Sequence, residues 1–284
     1  MDRVDRNRRF AGKVVLISGV ARGQGRSHAV RFAEEGASII GFDALSDYES
    51  VPFAQARQED LEETVALVEK AGGQIHAGRA DVRRRSEVDE VVRAGVERFG
   101  RLDVVVANAG IGINSLPFWE VPEQHFRDAI DVNLVGAWQT VAAAVPAMLE
   151  TGEGGAVVLI GSTASLNAVP RLAAYTAAKT GLLGMMRSMA NDLAPHRIRA
   201  NVVCPTSVPT DFILNDRLFR VFRPDLENPT IDDLREAMAT RHPLGEPWIQ
   251  PADVSAAILF LTSDEGRYIT GSVLPVDLGF TIQW

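Results

Sequence analysis

The chain has 284 residues, room for one large α/β domain or two small ones. Its 46% hydrophobic content suits a globular core, and its formal charge of -8 leaves no basic excess for nucleic acid. One cysteine, Cys204, rules out an internal disulfide or a cysteine-rich zinc site and points to a reducing, cytoplasmic setting.

Residues 1–12 begin MDRVDRNRRF, without the apolar run of a secretory signal, and read as a short flexible arm. KVVLIS (13–18) is a continuous apolar run, the mark of a strand buried on both faces. A helix follows from about Gln24 to Glu35, then a strand at 38–43, a charged helix over Glu59–Lys70 and a strand at 74–81. Next come a helix over Ser86–Phe99, a strand at 102–110, one long helix over Glu123–Glu150 and a strand at 155–162. Ala173–Leu193 is helical, 197–205 is a strand, Ala252–Leu261 a helix and 272–277 the last strand. No stretch approaches the ~18–20 apolar residues of a membrane span.

Seven strands alternating with helices predict a single doubly wound Rossmann domain over 13–284, with a seven-stranded parallel sheet and helices on both faces. Two connections break the rhythm, 44–57 and 207–250. Connections this long in a compact domain usually cover or bind something.

Gly19, Gly23 and Gly25 sit in SGVARGQG, immediately after the first strand and before a helix. Glycine permits a tight turn and close approach of a phosphate, and the helix N-terminus supplies free N–H groups for a pyrophosphate. Ala21, Arg22 and Gln24 belong to the same turn. Asp43 ends the second strand, 18 residues beyond Gly25, near the spacing expected of a carboxylate on the adenosine ribose. Such a carboxylate repels a 2′-phosphate and favours NAD over NADP. The alternative is a solvated aspartate at a strand end. Asp81-Val82 and Asn108-Ala109-Gly110 end two further strands. Together they define the carboxyl edge of the sheet, where ligands bind in such folds.

Tyr175 and Lys179 lie four apart on one helix face, and Ser162 ends the strand before them. A phenol with pKa near ~10 needs a nearby cation to act as a base at neutral pH. Tyr175 is therefore the expected acid/base, Lys179 its tuning charge, and Ser162 the hydrogen-bond partner of the substrate oxygen. Asn133 would hold a water linking Lys179 to solvent, or is an interior residue satisfied by backbone. Taken alone, Tyr-x-x-x-Lys is common on helices. The five histidines are scattered, and no metal site is expected.

With these motifs the chain resembles the short-chain dehydrogenase/reductase family from about Lys13 to Asp277. The resemblance implies NAD-dependent hydride transfer between an alcohol and a ketone, Lys179 also holding the nicotinamide ribose, and a homotetramer. Pro205-Thr206 replaces the family's usual Pro-Gly, and 44–57 is long. Both features resemble the carveol-dehydrogenase-like, mycofactocin-associated branch. That likeness implies that 44–57 covers a tightly held NAD, that the external carrier mycofactocin reoxidises it, and that Val208 and Thr210 contact the nicotinamide carboxamide alongside Pro205. The ending Asp277-Leu278-Gly279 departs from the family's acidic-Gly-Gly.

The segment 207–250 carries Phe212, Ile213, Leu214, Leu218, Phe219, Val221 and Phe222. It reads either as an apolar lid over a lipophilic substrate, a cyclic or terpenoid secondary alcohol, or as packing onto its own domain or a neighbouring subunit. Ile111, Ile113 and Val169 are candidates for the same pocket. Two other functions fit the motifs: a reductase with freely exchanging NAD(H), and a non-catalytic NAD-binding redox sensor. The intact Ser162–Tyr175–Lys179 set argues against the sensor.

Overall fold

The structure, a computed structural model, describes residues 8–113 and 115–282. The strands are β1 (Val14–Ser18), β2 (Ser38–Asp43), β3 (Gln74–Arg79), β4 (Val104–Ala107), β5 (Gly155–Ile160), β6 (Ile198–Pro205) and β7 (Val273–Val276). They form one parallel sheet in the order β3-β2-β1-β4-β5-β6-β7. The order reverses between β1 and β4, and the carboxyl ends of those two strands flank the crevice where a dinucleotide binds in such sheets.

The apolar runs of the strands serve two cores by simple alternation. Val14 and Leu16 of β1, Val105 and Ala107 of β4, and Val157 and Leu159 of β5 face one side. Val15, Ile17, Val104, Val106, Val158 and Ile160 face the other. Helices α1 (Gly23–Glu34) and α2 (Gln58–Lys70) cover the second side, and α3 (Arg85–Phe99) covers the first.

Two findings revise the expected elements. The predicted helix over 123–150 is α4 (Glu123–Ile130), a π-helical turn over Asp131–Val135 that contains Asn133, and α5 (Gly136–Thr151). By length and composition the run Glu123–Thr151 is long and apolar enough to cross a membrane, contrary to the expectation that no stretch was. Here 56% of its most apolar window is buried inside the fold, through contacts to α3 and to α6 (Ala173–Leu193).

The connection 207–250 holds two short helices, α7 (Asp216–Phe222) and α8 (Ile231–Ala239), each started by a side-chain cap, Asn215 and Thr230. Helix α9 (Pro251–Thr262) then packs against α1. The expected free arm covers residues 1–12, of which 1–7 lie outside the described residues. Residues 8–12 are docked: Phe10 is buried edge-on against Phe32 with centroids 4.8 Å apart, and Arg9 pairs with Glu35 at 2.6 Å.

Candidate active site

One cavity of about 570 Å³ runs along the carboxyl edge of the sheet. Its cofactor half starts at the glycine turn. Gly19 and Gly23 have φ of 69° and 58°, a conformation that favours glycine. A Cβ on Gly25 would lie 2.0 Å from the Gly19 carbonyl oxygen, so only glycine lets α1 start against the end of β1. The Asn108 amide donates to the Ser18 and Gly19 carbonyls at 2.9 and 3.1 Å, tying the ends of β1 and β4 together.

Asp43 lines the cavity. Burial pushes its carboxyl up, and the main-chain N–H of Ala21, at 3.1 Å, opposes this. Ala21 itself is wholly buried and holds Asp43 in place without lining the cavity. Arg22, Gln24, Val82, Ala109, Gly110, Pro205, Val208 and Thr210 line it. Asp81, expected at the adenine edge, lies between Ala80 and Val82 of the wall without lining it itself. Its carboxylate is taken by Arg83 at 2.7 Å and receives the Tyr48 hydroxyl at 3.5 Å. Tyr48 belongs to 44–57, so Asp81 anchors that segment.

The rest of 44–57 closes over the cofactor half, with Ala44, Phe53, Gln55 and Ala56 on the cavity wall. Arg83 stacks on the Tyr48 ring at 4.4 Å, and Asp47 pairs with Arg57 at 2.5 Å. Arg22 joins this segment to the other long connection: it donates to the Ala54 carbonyl at 2.7 Å and pairs with Asp211 at 2.8 Å. Phe53 meets Phe212 edge-on at 6.2 Å, and Phe212 in turn lies 5.9 Å from the Tyr175 ring. Two segments that break the strand–helix rhythm thus meet above Tyr175.

Tyr175 and Lys179 project from α6 into the cavity, and Ser162 from the end of β5. The Lys179 ammonium donates to the Ile160 carbonyl at 2.7 Å and sits 5.7 Å from the Tyr175 ring centroid. Burial lowers its pKa to about 8. Burial pushes Tyr175 up to about 12, although the ring is only half-buried by exposure; it lies deep in the cavity beneath the lid, and the surrounding protein disfavours the anion. The Ser162 hydroxyl and the charge of Arg217 act in the opposite direction. Arg217, on α7, is the site residue that sequence reasoning missed.

Asn133 donates to the Ile111 and Ala129 carbonyls and accepts from the Ile111 N–H, at 2.9 to 3.1 Å. Both amide hydrogens are therefore spent on main chain. The π-turn aims this side chain at the loop after β4, where its Oδ1 would lie 2.8 Å from a Cβ on Gly110 and the Lys179 Nζ 3.5 Å. Of the two roles left open for Asn133, satisfaction by backbone is the one these bonds display.

Phe212, Ile213, Leu218 and Phe222 line the substrate half with Ile111, Ile113 and Val169, whereas Leu214, Phe219 and Val221 do not line the cavity. Thr206, in place of the usual glycine, has a partner. His242 donates from Nδ1 to the Glu246 carbonyl at 2.7 Å, so its Nε2 accepts the Thr206 hydroxyl at 2.8 Å. The Asp277 carboxylate organises the last turn by accepting from Gly279 N–H and from Thr281. Among the described residues no cluster suited to a metal ion occurs.

A family model described as enoyl-(acyl carrier protein) reductase matches residues 19–281. The chain belongs to the short-chain dehydrogenase/reductase family. Within it, the chain is similar to the (-)-trans-carveol dehydrogenase of Rhodococcus erythropolis, 44% identical over 97% of this chain and 99% of that protein. The crystal structure of carveol dehydrogenase from Mycobacterium avium in complex with NAD superimposes with TM-score 0.95 at 47% identity, covering 97% of this chain and 99% of that one. A short chain dehydrogenase from Mycobacterium paratuberculosis bound to NAD gives TM-score 0.88 at 37% identity, over 97% and 100%.

Proposed function

We propose that the chain is an NAD-dependent dehydrogenase that interconverts a lipophilic, cyclic or terpenoid secondary alcohol and its ketone, with Tyr175 as general acid/base. That it is an NAD-dependent short-chain oxidoreductase acting on an alcohol or ketone follows from its family membership and its carveol dehydrogenase relatives. NAD is the cofactor. The residues present fit it: Gly19, Gly23 and Gly25 line the cavity with no side chain to hold off a pyrophosphate, and Asp43 stands at the end of β2 where a ribose needs an acceptor. Bound NAD supplies the hydride acceptor or donor.

The chain's own residues handle the proton. In oxidation, the Tyr175 oxygen takes the substrate's hydroxyl proton as the carbinol C–H bond gives up its hydride; in reduction, it returns a proton to the carbonyl oxygen. Ser162 hydrogen-bonds the same oxygen. Lys179 holds the nicotinamide ribose, and its ammonium favours the phenolate. Asn133 fixes the loop after β4 through its bonds to Ile111. Val208 and Thr210 contact the carboxamide.

The observation that carries the reading is the convergence of Ser162, Tyr175 and Lys179 on one cavity with the glycine turn. The segment 44–57, tied to the lid through Arg22 and Phe53, supports tight retention of NAD and reoxidation by an external carrier of the mycofactocin kind. Half-exposed Trp138, with Phe126 and Leu149, on α4 and α5 supports a homotetramer built on those helices. A cytoplasmic setting suits the single buried, free Cys204.

The test is a panel of cyclic secondary alcohols assayed with an artificial electron acceptor, with and without added NAD. Turnover that needs the acceptor and not added NAD supports the reading. Steady turnover on free NAD alone supports exchangeable cofactor. No oxidation of any alcohol, and no reduction of the matching ketones, contradicts the assignment.

A further inference from the structure

Ion pairs hold Arg9, Arg22, Arg83 and Arg223 against carboxylates, whereas among the described residues Arg217 pairs with none. It rises from α7 inside the lid and reaches under it. Its Nη1 donates to the Ile113 carbonyl, and its Nη2 lies 2.9 Å from where a Cβ on Gly112 would stand. Its Nε is shielded from solvent and bonds no described residue. The surroundings are apolar: Phe212, Leu218, Phe222 and Ile113 share this end of the cavity.

The main chain satisfies one corner of the guanidinium. The Nε–Nη2 edge, whose two parallel donors match a carboxylate, is left without an acceptor among the described residues. Keeping a cation among apolar side chains with no counter-ion is unfavourable. Burial lowers its pKa to about 10, in keeping with that setting. Arg241, which lies 5.0 Å over the Phe222 ring, adds a second positive charge at the same end, and the acidic residues of the cavity wall, Asp43, Asp60 and Asp211, lie towards the cofactor half and its cover.

We propose that Arg217 determines specificity by binding a carboxylate carried by the substrate, so that the alcohol turned over here is a hydroxy acid and the ketone its keto acid. The spacing between the two groups is short. A Cβ on Gly112 would meet both Arg217, at 2.9 Å, and Phe212, at 3.1 Å, and the Phe212 ring lies 5.9 Å from that of Tyr175. One aromatic ring's width therefore separates the guanidinium from the acid/base, the span of a carboxylated ring or a few methylenes. The proposal rests on the dehydrogenase reading above and narrows its substrate class.

The test compares hydroxycyclohexanecarboxylate isomers with their methyl esters, on the NAD-loaded protein and an artificial acceptor. The wild type is expected to favour the best acid over its ester by at least about tenfold in kcat/KM, and Arg217→Met to remove or reverse that ratio, with Arg217→Lys in between. The ratio cancels any general loss of activity in the variants. A second readout needs no turnover: cyclohexanecarboxylate is expected to bind the NAD-loaded wild type by calorimetry more tightly than cyclohexanecarboxamide, and Arg217→Met to equalise the two. Esters oxidised as well as or better than the acids by the wild type would overturn the proposal while leaving the dehydrogenase reading intact. Absence of all turnover with preserved carboxylate preference in binding would overturn the dehydrogenase reading and leave Arg217 as an anion site. Equal binding of acid and amide by the wild type would sink the proposal outright.

Discussion

Tyr175 is poised between burial, which keeps its proton on, and the Ser162 hydroxyl and Arg217 charge, which draw it off. Alcohol oxidation needs the deprotonated form, so its kcat/KM should climb with pH from neutrality upward, and ketone reduction should fall over the same range. Lys179, its own pKa lowered to about 8 by burial, is charged below that pH and sits against the ring. Removing this cation disfavours the phenolate. Lys179→Met is therefore expected to move the rising limb of oxidation to higher pH and to lower kcat/KM near neutrality by about tenfold or more, the equivalent of one pKa unit. A pH–rate profile checks it; a limb unmoved in the variant would mean that Lys179 only positions the cofactor. The Tyr-x-x-x-Lys pair and Ser162 were legible because their spacing survives any packing. Arg217 was not. It lies in a segment without helical periodicity strong enough to announce α7, and nothing in its neighbours tells that the lid turns it inward without a carboxylate.

Elements carry a similar division. The central strands β1, β4 and β5 stood out as short apolar runs, since both sheet faces are covered there and both must be apolar. The π-turn at Asp131–Val135 did not, because a one-residue insertion leaves the hydrophobic pattern of a long helix nearly intact. The α1–α9 contact holds a buried histidine. His28 lies with its Nδ1 2.8 Å from the Ser255 hydroxyl, and burial lowers its pKa to about 3. The unfolded chain binds a proton there below its ordinary value near ~6.5, and the folded chain does not until far lower pH. The folded pKa is depressed, so stability present above pH ~6.5 is lost as pH falls toward 3, by up to about 1.4 kcal/mol per unit. The difference in unfolding free energy between pH 7 and pH 5, measured by denaturant titration, is expected to shrink in His28→Asn by roughly 2 kcal/mol. An unchanged difference would place the acid sensitivity elsewhere.

Across the whole molecule, the two irregular connections matter through their meeting. Sequence length alone marked 44–57 and 207–250 as covers, but their junction through Arg22, Asp211 and the Phe53–Phe212 pair depends on tertiary placement. An aromatic pair is worth about 1 kcal/mol and an exposed ion pair less. Phe53→Ala combined with Asp211→Asn is thus expected to speed NAD release by about tenfold, read by exchange of bound nucleotide against labelled NAD. Release as slow as in the wild type would show that the segments enclose the cofactor without this latch. The same placement shows a task for Asp81 that the strand-end pattern did not reveal, the anchoring of Tyr48 and Arg83.

The proposed role of residues 44–57 is to keep NAD in a site where Tyr175 acts as the acid/base of hydride transfer. Its most direct measurement adds a cyclic secondary alcohol to purified protein with no cofactor and no acceptor, and follows the near-ultraviolet absorbance of reduced nicotinamide. The wild type is expected to give a single burst approaching one equivalent per chain, and Tyr175→Phe a burst slower by about 10²–10⁴ with the same nucleotide content. A wild-type protein that carries no nucleotide, or a Tyr175→Phe burst as fast as the wild type's, would contradict it.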